Sequence, residues 1–241
     1  TVGAGLVQIY TASENRLALQ ELLPEAIISC YDSYDDSQLS HLLDWADVVC
    51  IGCGLGIGQI SEKILKNVLK NVSCPCVIDA DGLNLLSRNI ALLNQCCAPV
   101  ILTPHMKEMS RLTGWSIDTI MEDRFQALDQ IIKQSGADTK SSIICVLKDS
   151  RTVVAQTNRQ RFVNLAGNNS MAKGGSGDVL AGTIAGLLAQ HMAPFEATTV
   201  GVFLHACGGD EAKKSKGSYS VLARDLIQGM ADAMKNAKEC R

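Results

Sequence analysis

Ala46-Asp47-Val48-Val49-Cys50-Ile51-Gly52-Cys53-Gly54-Leu55-Gly56-Ile57-Gly58 opens as a strand and closes as a glycine turn. Its first half is a near-continuous apolar run, the kind that a parallel sheet buries on both faces. A helical pattern follows to about Asn71, and Cys76-Val77-Ile78-Asp79 is the next strand. Strand, helix and strand in this order make a parallel βαβ unit. The alternation extends outward from it. Upstream, Ala4 to Tyr10 reads as a strand, and Thr11-Ala12-Ser13-Glu14 has capping-box spacing and opens a helix through Leu23. Ala26 to Ser29 is a short strand and Ser37 to Leu43 a short helix. Downstream, Val100-Ile101-Leu102-Thr103 ends in Pro104-His105, and Ser142 to Lys148 is a further strand. Thr152 to Gln156 and Arg161 to Asn164 form a hairpin around Asn158-Arg159. An apolar helix over 179–189 comes next, then helices over Ala197–Ala212 and Val221–Ala237, with Lys213 to Lys216 read as a solvated loop. The pattern predicts one α/β domain with a mostly parallel sheet.

The bulk composition agrees. The chain has 241 residues, 46% hydrophobic and 20% charged, which suits a globular protein with a sizeable core. A net charge of −3 and 4% aromatic residues argue against a nucleic-acid surface. No apolar run reaches a membrane span. Of the ten cysteines, Cys50, Cys76 and Cys145 fall inside apolar strand runs, where a thiol behaves as a small hydrophobe. Cys50-x-x-Cys53 has zinc or redox spacing, but no second Cys or His pair follows at a zinc-site distance. Reduced thiols in the cytoplasm are the expectation.

Open α/β sheets gather ligands at the carboxyl ends of their strands. That rule collects Gly54 to Gly58, Asp79 to Asn84, Thr103 to His105 and Lys148 to Thr152 on one edge. The stretch Gly167-Asn168-Asn169-Ser170-Met171-Ala172-Lys173-Gly174-Gly175-Ser176-Gly177-Asp178 should face the same edge. It places Gly174 to Gly177 at the start of the apolar helix, where backbone N–H groups lack intrahelical partners and the dipole is positive. A phosphate is the usual ligand of such a place. Asp178 would repel a phosphate, so its sense there is as a general base that takes a proton from an attacking hydroxyl. The alternative is a glycine turn with Asp178 as an ordinary helix cap.

The other loops carry open alternatives. Gly54-Leu55-Gly56-Ile57-Gly58 lacks the Gly-x-Gly-x-x-Gly spacing of a dinucleotide fingerprint; it is either a tight turn or a close backbone approach to a ligand. Asp79 and Asp81 could bind Mg²⁺ through water, accept from a substrate hydroxyl, or cap the next turn. His105 could contact a phosphate or an amide, or be structural. His205 reads as a buried, hydrogen-bonded core histidine, and His41 and His191 as surface residues. Lys148-Asp149-Ser150-Arg151-Thr152 suits nucleotide phosphates or an ordinary charged turn.

Taken together, these motifs resemble the ADP/ATP-dependent NAD(P)H-hydrate dehydratase family of the ribokinase-like superfamily. The resemblance rests on Gly3-Ala4-Gly5-Leu6-Val7, Gly54-Leu55-Gly56, Asp79 to Asn84, Leu102-Thr103-Pro104-His105, Asn168 to Gly182, Leu204-His205 with Gly209-Asp210, and Leu222 to Ile227, in the family's order. It implies a three-layer α/β/α fold and repair of hydrated NADH or NADPH. ADP or ATP, with Mg²⁺ bridging its phosphates, would phosphorylate the ring hydroxyl, and loss of phosphate would restore NAD(P)H. Asp178 would be the base, and the Gly175, Ser176 and Gly177 amides an anion hole. Lys148, Asp149, Ser150, Arg151 and Thr152, with Asn168, Lys173, Gly174 and Gly177, would hold the nucleotide. Gly54, Gly56, Asp81, Asn84, His105 and Asp178 would meet the hydrated dinucleotide. A cytoplasmic homotetramer is implied, with an NAD(P)H-hydrate epimerase acting in the same pathway and no nucleic-acid or membrane partner. The resemblance further implies that the family's opening strand, glycine loop and helix are absent before Thr1. Lys107, Asp149 and Cys53 stand where glycine, glycine and proline are usual. A ribokinase-like small-molecule kinase and a non-catalytic nucleotide binder are the other readings.

Overall fold

The computed structural model describes residues 2–134, 142–157 and 160–239. The tip of the expected hairpin, Asn158-Arg159, and Cys240 lie outside the described residues. The chain begins with β1 (Gln8–Ala12), α1 (Arg16–Leu22), β2 (Ile27–Tyr31) and α2 (Asp36–Trp45). β3 (Val49–Ile51), α3 (Gln59–Asn71), β4 (Cys76–Ile78), α4 (Ala80–Leu86) and β5 (Val100–Leu102) follow. Next come α5 (Met106–Thr113), α6 (Ile117–Glu122), α7 (Arg124–Gln134), β6 (Ile143–Leu147), β7 (Val153–Gln156) and β8 (Arg161–Val163). α8 (Ser176–Leu188), α9 (Pro194–Ser220) and α10 (Ala223–Glu239) complete it.

β3 to β8 form one six-stranded sheet in sequence order. β3 through β6 run parallel, and β7 and β8 return antiparallel. The hairpin strands are therefore as expected, and the sheet is mostly parallel. Side chains alternate between its two faces. Val77, Ile101, Ile144, Val146 and Val154 pack under α8 and α9. Cys76, Ile78, Val100, Leu102, Ile143, Cys145 and Leu147 pack under the helices of the other face. The result is the three-layer α/β/α arrangement. The register sets Ile51, Ile78, Leu102 and Cys145 in one row across the sheet. The residues just past that row, Gly52, Asp79 and Thr103, consequently share one edge.

Several expectations are corrected. β1 begins at Gln8 rather than Ala4, and it pairs with β2 in a separate two-stranded sheet. Thr11 and Ala12 belong to that strand, so no capping box forms there; the Thr11 hydroxyl accepts from the Asn15 amide at 2.9 Å instead. Asp79 to Asn84 is not a loop: α4 starts at Ala80, directly after β4. Lys213 to Lys216 is not a loop either. α9 runs through it, the backbone breaking only at Gly217 with φ 74°. Lysine favours helix, and Lys214 pairs with Glu211 one turn back at 2.7 Å. Cys50 is exposed on β3, an edge strand, whereas Cys76 and Cys145 are buried as expected.

Candidate active site

The glycine-rich stretch does open a helix. Gly175 is the N-cap of α8 with φ 84°, a left-handed conformation that favours glycine. Ser176, Gly177 and Asp178 form the first turn, where helix geometry supplies no partner for the N–H groups. The Ser176 N–H donates to the Lys173 carbonyl at 3.2 Å. Of the three amides expected to make an anion hole, that one is engaged. Before the helix, the Asn168 side chain caps a short turn by accepting from the Ser170 N–H at 3.0 Å, and it donates to Asp210 at 2.8 Å. Asp210 also accepts from the Gly167 N–H at 3.1 Å. Lys173 reaches the Tyr219 carbonyl at 3.5 Å.

The sheet edge meets this turn. Asp79 is 1% exposed, and its Oδ1 accepts from Lys148 Nζ at 2.6 Å. A Cβ on Gly177 would lie 3.1 Å from that Nζ and 3.5 Å from Asp79 Oδ2. The bare Cα is thus what lets α8 sit against the ion pair. The Asp178 carboxylate, the Asp79 carboxylate and the Cys53 thiol have ligand atoms all within 4.8 Å of one another. Hydrogen bonding to the Cys50 thiol, then burial, and then the facing Asp178 carboxylate push the Cys53 thiol far above its ordinary range.

Asp81 and Asn84 work as a unit. Asp81 accepts the Gly56 N–H at 2.9 Å, Asn84 donates to Asp81 at 3.4 Å, and Arg111 donates to Asn84 at 2.6 Å. Asp79 and Asp81 therefore face different partners, although only Ala80 separates them. Ala80 itself is left-handed, with φ 48°. Gly52, with φ 123°, brings its Cα against the Asp79 carbonyl and the Gly82 N–H. Any side chain there would collide with backbone.

His105 caps α5 and is half-exposed. Its Nδ1 accepts from the Lys107 and Glu108 N–H groups at 3.1 and 3.2 Å, and Glu108 accepts from the His105 N–H at 2.8 Å. Burial raises the Glu108 carboxyl above its ordinary range. His105 also bridges to Lys148 across the strand ends. Asp149 is held by Arg124 at 2.8 Å, which leaves its charge compensated, and its carbonyl accepts from Thr152 at 3.3 Å. Ser150 and Arg151 are exposed in the same turn. His205 is buried on α9 with Nε2 3.4 Å from the Ser176 hydroxyl. Burial lowers its pKa to about 4, so the ring is neutral. The structure brings the five segments together at one edge, one of them as the start of α4 rather than a loop. Sequence reasoning gave no role to Glu108 or Arg111, and it noted Cys53 and Asp210 without their partners. Cys53 had its Cys-x-x-Cys spacing as a local signal and Glu108 its N3 spacing from His105; Arg111 had none.

A model of the NAD(P)H-hydrate dehydratase family matches residues 1–231. A bifunctional NAD(P)H-hydrate repair enzyme of Moorella thermoacetica is 37% identical over 204 residues, which cover 85% of this chain and 37% of that protein. The chain thus spans well under half the length of such curated relatives. Among solved structures, a ribokinase-like superfamily protein of Enterococcus faecalis superposes with TM-score 0.78 at 35% identity, over 98% of this chain and 78% of that one. The ADP/ATP-dependent NAD(P)H-hydrate dehydratase of Bacillus subtilis, crystallised with ATP and Mg²⁺, superposes with TM-score 0.76 at 27% identity over 98% and 82%. With this fold and a match running nearly end to end, the chain belongs to the NAD(P)H-hydrate dehydratase family.

Proposed function

We propose that this chain is an ADP- or ATP-dependent dehydratase that returns (6S)-NADH-hydrate or NADPH-hydrate to the reduced dinucleotide. One observation carries the reading: a carboxylate, Asp178, stands in the first turn of α8 beside the bare glycine backbone and the Lys148–Asp79 pair. That turn fits a phosphoryl group, since Gly174 has open space where a side chain would be. Mg²⁺ bound to the nucleotide phosphates would neutralise their charge. The first-turn N–H groups of α8, Gly177 above all, would steady charge on the transferring group. Asp178 would take the proton from the substrate hydroxyl as it attacks. Lys148, Asn168 and the 149–152 turn would hold the nucleotide. Gly54, Gly56, Asp81, Asn84 and His105 would orient the dinucleotide, with Asp81 fixing the Gly56 turn.

The Bacillus subtilis neighbour's name, ADP/ATP-dependent, supports both donors. We further read residues 1–241 as one domain of a cytoplasmic homotetramer that works with an NAD(P)H-hydrate epimerase. Leu17, Leu22 and Ile27 of the first βαβ unit are each exposed, which supports self-association. Among the described residues no helix is long and apolar enough to cross a membrane.

The test is direct. The protein is incubated with NADH-hydrate, Mg²⁺ and either ADP or ATP while the reduced-nicotinamide absorbance is followed. A nucleotide-dependent rise is expected, and Asp178→Asn should slow it by about 100-fold or more while nucleotide affinity holds. Unchanged turnover in Asp178→Asn would overturn the mechanism.

A further inference from the structure

The proposed reaction does not use the two thiols at the end of β3. Cys50 and Cys53 are free and exposed. Cys53 belongs to a trio with Asp79 and Asp178 whose ligand atoms lie within 4.8 Å of one another. We propose that Cys53, Asp178 and Asp79 form a binding site for a soft or borderline divalent cation of the zinc and cadmium class, with water as its fourth ligand, and that this ion blocks Asp178.

The donor set carries the choice of ion. A tetrahedral ion of this class holds sulfur at about 2.3 Å and oxygen at about 2.0 Å, so its donors end roughly 3 to 4 Å apart. Donors already within 4.8 Å need small side-chain movements to close on it. Asp79 can keep Lys148 on Oδ1 and offer Oδ2, the oxygen nearer Gly177. A thiolate among the donors selects against Mg²⁺, which takes octahedral oxygen ligands. The magnesium of a nucleotide would therefore not fill this place. On binding, the Cys53 thiol gives one proton to solvent and becomes a thiolate ligand, and no electrons change hands. With its oxygen on the ion, Asp178 can no longer accept a proton. The blocking part of this inference rests on the base assigned above; the binding part does not.

The experiment titrates the reduced full chain with Cd²⁺ in the presence of Mg²⁺ and follows the thiolate-to-cadmium charge-transfer absorption. Cys53→Ser and Asp178→Asn should each weaken Cd²⁺ binding by tenfold or more. Cys97→Ser, which removes an exposed thiol elsewhere, should leave it unchanged. Turnover of the unaltered chain should be lost as the strong band saturates, and Cys53→Ser should need at least tenfold more Cd²⁺ for the same loss. Cd²⁺ affinity within twofold of the unaltered chain in Cys53→Ser would overturn the site. Tight binding that depends on Cys53 but leaves turnover intact would instead overturn Asp178 as the blocked base.

Discussion

Lys148 Nζ lies 2.6 Å from Asp79 Oδ1 across the carboxyl edge of the sheet, and the carboxylate it holds is 1% exposed. The two residues follow β6 and β4, with β5 between them. Breaking such a buried pair on one side leaves an uncompensated charge, which costs about 3–5 kcal/mol. Lys148→Met should lower unfolding stability by that order in urea titration. Adding Asp79→Asn should restore more than half of it. A loss of under about 1 kcal/mol in the single variant would mean that the pair is solvated.

Gly52 and Gly54 separate two reasons for a glycine. Gly54 has φ 66° with open space around it, whereas Gly52 has φ 123° with the Asp79 carbonyl where a Cβ would go. Gly54→Ala should cost about 1 kcal/mol, the left-handed penalty alone. Gly52→Ala should cost more than about 3 kcal/mol, because backbone must move. Equal effects by calorimetry would refute the steric argument.

His105 has a structural duty that can be lifted from its proposed ligand duty. His105→Ala removes the α5 cap and should cost about 1 kcal/mol. His105→Asn keeps a capping side chain and should hold the melting temperature. If the ring also meets the dinucleotide, His105→Asn should still raise KM for NADH-hydrate. A normal KM in that variant would confine His105 to capping.

His205 predicts a pH dependence of stability. Its folded pKa, about 4, is below the unfolded value of about 6.5. Between these values the unfolded chain binds the extra proton, so stability falls as pH drops from about 6.5 towards 4 and rises in the opposite direction. The full span is ~3 kcal/mol. His205→Gln should flatten this part of the profile measured by chemical denaturation, and an unchanged slope would assign it to other groups.

The architecture was legible where the signal was local and periodic. The run Val48 to Ile51, Cys76 to Ile78 and Val100 to Leu102 announced buried parallel strands, and their order in sequence is their order in the sheet. The edge rule then collected segments that the structure brings side by side. What stayed hidden depended on partners far along the chain. Lys148 meets Asp79 across 69 positions and Asn168 meets Asp210 across 42, and neither pairing has a local mark. Thr11 and Ala12 carried capping-box spacing, but pairing with β2 gave their backbone a better use. At Lys213–Lys216 a run of charge looked like a loop, yet lysine is also a good helix former, and α9 continued through it. Cys50 read as core because its run is apolar; the place of β3 at the sheet edge exposes it.

Ala80 sets two kinds of selection against each other. Its left-handed φ of 48° costs a non-glycine residue roughly 1–2 kcal/mol, and the same twist turns Asp79 toward Lys148 and Asp81 toward Gly56. A glycine at 80 would relieve the strain and let both carboxylates wander. A breeder of heat-resistant variants could favour that change, and a breeder of fast ones would discard it. At this alanine, durability and aim call for different residues.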